Sequence, residues 1–373
     1  MPIVIQGYRR EDEKAVDEFN QRLQANGASP ELVFYRWAEP RWLPPSQSSS
    51  LFNEFFIAGD CDTVRGGYAL KHQNFLFPDG HLRNIGFYHH PLSEGIVNKS
   101  HAIVGTLLLR DAMMRSPLLF CLGMGGYDKP LPQMLVKLGW SHCVIPFYFR
   151  VLRPARFLRN LQAARTSPLR NLLMDAGAFS GAGWVALKIY NGVTKLRSPA
   201  MAAYEVERIS EFTEWTDLLW DRCQGAYSFT AVRDCATLRQ LYPGSESHLI
   251  RLRVRRNRED LGWAVVGSRR ADPKYGSMRV GSIIDCLARP EDALAIVRAA
   301  WQALSDEGMD LIVSNQSHPA WCQALRAAGF LRAKSNFIFA ASKKLAEALA
   351  PFDRTTQHMH LTRADGDGLP RNY

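Results

Sequence analysis

Two stretches of this chain follow one pattern, 190 positions apart. Leu131–Phe149 reads LPQMLVKLGWSHCVIPFYF, and Ala320–Phe339 reads AWCQALRAAGFLRAKSNFIF. Without a gap, Leu135 falls on Leu325, Gly139 on Gly329, Trp140 on Phe330, Phe147 on Phe337 and Phe149 on Phe339. Each is a short amphipathic helix, a Gly-aromatic stop and an apolar strand. A repeat at that distance implies two copies of one domain. Gly139 and Gly329 sit where the helix stops, so both are expected in the left-handed conformation that glycine adopts most cheaply.

Length agrees with duplication, since 373 residues is about two domains. With 46% apolar residues each copy can bury a core, which excludes a disordered chain. The seven cysteines are odd in number, scattered and never in CxxC, the usage of reduced thiols rather than a disulfide frame. No His/Cys spacing fits zinc, and no metal is expected. MPIVIQGYRREDEK has no apolar signal core, and the longest apolar run, Leu172–Tyr190, is broken by Asp175. The expected location is therefore cytoplasmic, with peripheral attachment to the inner membrane as an extension of it.

The formal charge of +10 is concentrated. Arg150–Arg197 holds Arg150, Arg153, Arg156, Arg159, Arg165, Arg170, Lys188, Lys195 and Arg197 against the single carboxylate of Asp175. A local charge implies a local partner. Three readings of this insert stand. One is a helical pair on an anionic membrane surface, with Phe157, Leu158, Leu161, Trp184 and Leu187 dipping in. Another is an RNA patch, the less favoured of the three, and the last is a solvated helical connection. The expected division is a domain over 1–149, the insert over 150–200, a second domain over 201–345 and a tail over 346–373.

Periodicity and turn residues predict strands at Pro2–Gln6, Phe52–Ala58, Thr63–Phe77, His81–Leu92 and Leu118–Leu122 in the first copy. Helices are expected at Arg10–Ala25 and His101–Arg115, with a loop at Ser93–Ser100 between strand and helix. The second copy restarts with a strand at Tyr204–Ile209 and runs through Met278–Cys286, a helix at Pro290–Glu307 and a strand at Asp310–Ser314.

In each copy a long central strand leads through a loop into a helix, then a strand, a Gly-aromatic helix and a last strand. The pieces are Asn84–Met114 with Leu118–Phe149, and Gly281–Leu304 with Asp310–Phe339. This resembles the GNAT N-acyltransferases in tandem, as in the Fem-type transferases. Val144–Asn160 (VIPFYFRVLRPARFLRN), Arg239-Gln240-Leu241-Tyr242 and the LTRADGDG tail at Leu361–Gly368 are similar to GNAT proteins of bacterial exopolysaccharide gene clusters. The implied fold class is α/β (α+β), two tandem GNAT-like domains, each a mixed twisted sheet flanked by helices and joined by the basic insert.

The resemblance also implies a reaction. An acyl-CoA or acetyl-CoA donor would pass its acyl group to an amine or hydroxyl, here of a saccharide or lipid-linked envelope precursor. Aminoacyl transfer from a charged tRNA is the alternative enzyme. A catalytically silent double module that binds a partner in polysaccharide assembly is the alternative outside catalysis. By analogy the donor would lie along Phe87 and Tyr88. Its diphosphate would meet Gly95, Val97, Asn98, Lys99, Ser100 and His101, with Gly123 and Gly125 allowing close backbone approach. The family pattern Gln/Arg-x-x-Gly-x-Gly/Ala is not kept in Glu94–His101. In the second copy Glu291 and Asp292 already load the helix N-terminus with negative charge, so that copy is not expected to bind a diphosphate. His89, His90 and Glu94 are candidates for the base. The family's acidic Tyr is replaced by Leu135 and Leu325; Tyr127, Tyr148 and Tyr88 are candidate substitutes. The Asp365-Gly366-Asp367-Gly368 run lacks the ligands of a calcium loop. It is expected to fold back toward the substrate cleft.

Overall fold

The computed structural model describes residues 2–37, 43, 49–60, 63–160, 203–268 and 276–366. The insert beyond residue 160 and the chain beyond residue 366 lie outside them. Two compact units are present, one of residues 1–122, 128–142 and 339–352, the other of residues 123–127, 143–338 and 353–373.

The first unit is built from β1 (Val4–Gly7), α1 (Glu13–Ala25), β2 (Phe52–Asp60), β3 (Thr63–Leu76), β4 (Leu82–Ser93), α2 (Ile103–Arg115), β5 (Leu119–Gly123), α3 (Pro130–Lys137) and β6 (Ser141–Val144). Then come β7 (Phe147–Val151) and α4 (Pro154–Asn160). The second half follows with β8 (Glu205–Ile209), α5 (Trp215–Cys223), β9 (Thr230–Ala231), α6 (Cys235–Leu241), β10 (Leu249–Arg256), β11 (Glu259–Ser268), β12 (Val280–Ala288), α7 (Ala293–Asp306), β13 (Leu311–Asn315), α8 (Pro319–Ala327), β14 (Leu331–Ala333) and β15 (Ile338–Ala341).

One sheet runs in the order β1-β2-β3-β4-β5-β15-β6, the other β8-β10-β11-β12-β13-β7-β14. The two orders correspond strand for strand, with β7 and β15 exchanged between the halves of the sequence. Each central strand pairs antiparallel with the strand before it and parallel with the strand after it, β4 with β5 and β12 with β13. The duplication is thus real in topology. Gly139 and Gly329 end their helices at φ 74° and 82°, as the repeat predicts.

The exchange corrects one expectation. The apolar stretch ahead of Arg150 is not a single strand closing the first domain, and a boundary at 149 would cut through β7. Pro146 has no N–H to give a ladder, so β6 stops before it. Its carbonyl accepts from the Gln316 N–H and the Asn315 side chain, both at 3.3 Å. Beyond it, Phe147, Phe149 and Val151 pack on Met278, Val280, Leu311 and Val313. Phe157 joins that cluster and stacks on Phe149 at 6.2 Å, so it does not reach out toward a membrane. Arg153 and Arg156 lie 3.5 and 3.4 Å from the buried carboxylate of Asp310.

In the first unit α1 turns Val16, Phe19 and Leu23, one helical face, onto Phe34, Phe55, Ile57 and Leu92. In the second unit a polar cluster is buried instead. Arg233 meets Asp285 at 2.9 Å and Asp365 at 2.8 Å. Tyr242 and Thr362 donate to Asp285 at 2.7 and 2.9 Å. Two carboxylates hold the guanidinium charged despite its burial, and the hydroxyls satisfy what remains of one carboxylate. This accounts for the Tyr of the Arg239–Tyr242 motif and for the start of the LTRADGDG tail. Removing one partner of such a cluster costs about 3–5 kcal/mol. Asp365→Ala is therefore expected to lower unfolding free energy by about that amount in urea titrations; a loss under about 1 kcal/mol would contradict the assignment.

Candidate active site

The central strand parts from its parallel neighbour in the first unit. β4 and β5 pair only at Gly86 with Leu119 and Phe87 with Phe120. Beyond Phe87, β4 continues for six residues with β3 as its ladder partner. His90 and Pro91 together oppose the single residue Tyr68, a bulge that gives His90 a φ of 51°. A proline inside a strand is tolerated only at a bulge or where no ladder partner waits, and Pro91 satisfies both conditions.

A cleft of about 370 Å³ opens at the parting. Tyr88, Pro91, Leu92 and Ser93 of β4 form one wall, Gly105, Thr106 and Leu108 of α2 another, and Pro130, Leu131 and Met134 of α3 the third. The lining is mostly apolar, with one exceptional polar group. Tyr88 is buried, and its hydroxyl has no hydrogen-bond partner among the described residues. Burial keeps its proton on at any ordinary pH, so it is a donor without an acceptor. A buried hydroxyl left in that state forgoes a hydrogen bond that it would make in water.

The loop from β4 to α2 does not present a diphosphate cradle. It folds into two tight turns, Glu94–Ile96 and Lys99–His101. The amides of Val97 and Asn98 both donate to the Glu94 carbonyl, at 3.1 and 2.8 Å. Those of His101 and Ala102 donate to Asn98 and Lys99, and that of Ser100 to the Asn98 side chain at 3.1 Å. A side chain on Gly95 would meet Ala102 and the His101 carbonyl at 2.8 Å, so this glycine serves the folding of the loop on itself. Gly95 also lines the cleft, whereas Val97, Asn98, Lys99, Ser100 and His101 do not.

The base candidates are committed elsewhere. Glu94 is buried between Arg65 at 3.0 Å and Arg22 at 3.5 Å, a structural clamp. His90 donates from Nε2 to the Val33 carbonyl at 2.7 Å, and its ring packs on Tyr35 at 4.6 Å. His89 stacks on Phe87 and is pushed down to about 3 by burial, with His90 and Lys71 adding to the effect. It stays neutral at physiological pH and lies far below the range that suits a general base. Phe87 is buried in a stack with Phe120 and is not part of the cleft wall. Gly123, Gly125 and Tyr127 belong to the second compact unit and are not among the residues lining the cleft. Leu135 is buried where the family carries its acidic Tyr. Of the expected site residues, the cleft gathers Tyr88 and Gly95. Sequence reading missed Leu92, Ser93, Gly105, Thr106 and Met134, which one signal could have found: Pro91 in an otherwise good strand.

The second unit has the same parting and fills it. β12 pairs with β13 from Val280 to Ile283, and Ile284 is a bulge. Beyond that point the chain's own tail lies alongside. His360 donates from Nε2 to the Cys286 carbonyl at 2.8 Å, Leu361 exchanges hydrogen bonds with Ser317, and Thr362 reaches Asp285. At the mouth of α7, Asp292 is buried with Arg256 and Arg289, each at 3.6 Å. The tail does fold back, but into this parting; Asp365 is bound to Arg233, and among the described residues no group of carboxylates, His and Cys could hold a metal.

With this geometry the comparisons are informative. No family model matches the sequence, and no curated protein does. Solved structures do. Saccharomyces cerevisiae N-myristoyltransferase with bound myristoyl-CoA is 10% identical with a TM-score of 0.53, over 91% of this chain and 78% of that one. Another structure of the same enzyme is 9% identical with a TM-score of 0.51, over 92% and 84%. A GCN5-related N-acetyltransferase from Anabaena variabilis is 10% identical, also at 0.51, over 91% and 72%. The chain carries the GNAT fold, twice. At such identities the likeness is one of fold.

The buried histidines make stability depend on pH. His89 and His360 are pushed down to about 3 and His318 to about 4, all by burial. Their unfolded values lie near 6.5, so below that pH the unfolded chain binds protons that the folded chain refuses. Each contributes a loss of up to about 1.4 kcal/mol per pH unit as pH falls from about 6.5 toward 4. Urea midpoints measured from pH 8 to 4.5 are expected to be flat above about pH 7 and to fall steeply below 6. His89→Gln should shallow that fall.

Proposed function

We propose that this chain is an acyltransferase that takes its acyl group from a pantetheine thioester, as in acetyl-CoA or a longer acyl-CoA. The observation that supports this is the apolar cleft at the parting of β4 from β5, lined in part by Tyr88, whose buried hydroxyl has no hydrogen-bond partner among the described residues. A pantetheine arm carries amides and a thioester, the acceptors that hydroxyl lacks. The solved structures of the same fold include one with bound myristoyl-CoA. In the reaction the acceptor nitrogen or oxygen bonds to the thioester carbonyl carbon, the C–S bond breaks, and the acceptor's proton ends on the departing thiol. Tyr88 donates a hydrogen bond to the carbonyl or to the leaving sulfur, the role left open by Leu135. The second unit, with its parting filled by the tail, serves as a supporting copy.

For the acceptor we propose an amine or hydroxyl of a saccharide or lipid-linked envelope precursor, handled on the cytoplasmic side with the basic insert at an anionic membrane surface. The resemblance of Val144–Asn160, Arg239–Tyr242 and the tail to exopolysaccharide-cluster GNAT proteins supports that choice. Expected outcomes are definite. Pantetheine-arm thioesters should raise the thermal midpoint. Tyr88→Phe should weaken their binding about tenfold, while the unliganded protein gains about 1 kcal/mol because an orphaned hydroxyl is gone. Indifference of the midpoint to every thioester, at chain lengths from two to fourteen carbons, would instead favour the non-catalytic module.

A further inference from the structure

Resting on that thioester reading, we infer that the donor arm is presented by an acidic carrier protein, with the rim of the β4/β5 cleft as the docking surface. A coenzyme A donor brings a diphosphate and an adenosine nucleotide, and those need a place at the start of α2. There five of the six loop amides from Val97 to Ala102, all but that of Lys99, donate within the loop. At the same mouth Ile96 and Ile103, 45% and 58% exposed, flank the exposed Asn98, Lys99 and Ser100. A diphosphate there would meet a single cation, Lys99, between two isoleucines, with most of the loop amides already used, and would regain little of the hydration it loses. A phosphopantetheine arm needs no such cradle, because its single phosphate stays on the carrier.

The rim fits a protein surface of that kind. Thr106 of α2 contacts Met134 of α3, and both line the cleft. Ile103 and Arg110 lie one turn either side of Thr106 on the same helical face, and Lys137 and Leu138 follow Met134 by three and four residues. All four are exposed. Across 95–138 the carboxylates are Asp111, paired with Arg115 at 2.7 Å, and Asp128, beside Lys129 at 3.6 Å. Lys99, Arg110 and Lys137 are exposed and have no carboxylate partner among the described residues. Apolar side chains set among uncompensated cations are complementary to an acidic protein that also offers an apolar contact.

The test measures binding, so no acceptor need be known. Non-hydrolysable thioethers on three carriers, pantetheine, coenzyme A and a type II acyl carrier protein, are titrated into the full chain, each set of three compared at one acyl length, two carbons or fourteen. Pantetheine and coenzyme A thioethers should bind within about threefold of each other, with adenosine 3′,5′-bisphosphate not competing. The carrier thioether should bind at least tenfold more tightly and weaken with added salt. Arg110→Glu combined with Lys137→Glu should remove that gain and leave pantetheine binding unchanged. A coenzyme A thioether more than tenfold tighter than the pantetheine one, or competition by the bisphosphate, overturns the inference. So does carrier binding that is absent or insensitive to the double variant. These results leave the thioester reading intact. Failure of all three thioethers to bind overturns both.

Discussion

A strand that loses a ladder neighbour leaves a row of amides and carbonyls without partners, and those groups are costly to bury unpaired. Both halves of this chain contain that situation, in β4 beyond Phe87 and in β12 beyond Ile283. They resolve it differently. In the second unit the tail moves in, and His360 gives its imidazole N–H to the freed Cys286 carbonyl. In the first unit the row is left facing an apolar cleft. The two solutions differ in chemistry, since one completes a core and the other leaves an open cleft.

The filling of the second copy depends on the tail being held there, and the buried ion cluster supplies that hold. Asp365 and Thr362 come from the tail, Asp285 from the bulged end of β12, and Arg233 from the segment ahead of α6. An arginine in that position without both carboxylates would be an uncompensated interior charge. The tail is therefore part of the core of its unit. Its sequence reads as polar, yet Thr362 and Asp365 are buried on specific partners, a property that hydropathy does not register.

Periodicity disclosed the duplication and the helix stops at Gly139 and Gly329; Glu291 and Asp292 disclosed the acidic mouth of the second copy, and the resemblance to the GNAT proteins implied the replacement of the acidic tyrosine. Periodicity could not disclose which sheet β7 and β15 join. An apolar strand with alternating phenylalanines satisfies either sheet equally, and the exchange of two equivalent strands leaves the pattern of both halves unchanged. The histidines failed for another reason. His-His at a strand end has the composition of a catalytic pair, but Phe34, Tyr35 and Phe87 surround these rings, and those residues are distant or unremarkable in sequence. Glu94 likewise owes its role to Arg22 and Arg65, one in α1 and one in β3.

Duplication lets one copy give up a ligand site without cost to the other, and the two loops record how far each has gone. The second has carboxylates at the helix mouth and Asp292 buried between arginines. The first has an open apolar cleft while the amides of its loop fold inward. On the proposed thioester reading the cleft would take a pantetheine arm, and the loop would offer no cradle for a diphosphate. On that reading, the separation of groove from cradle is the physical reason for looking to the exposed rim, rather than to the helix terminus, for what would hold the donor in place.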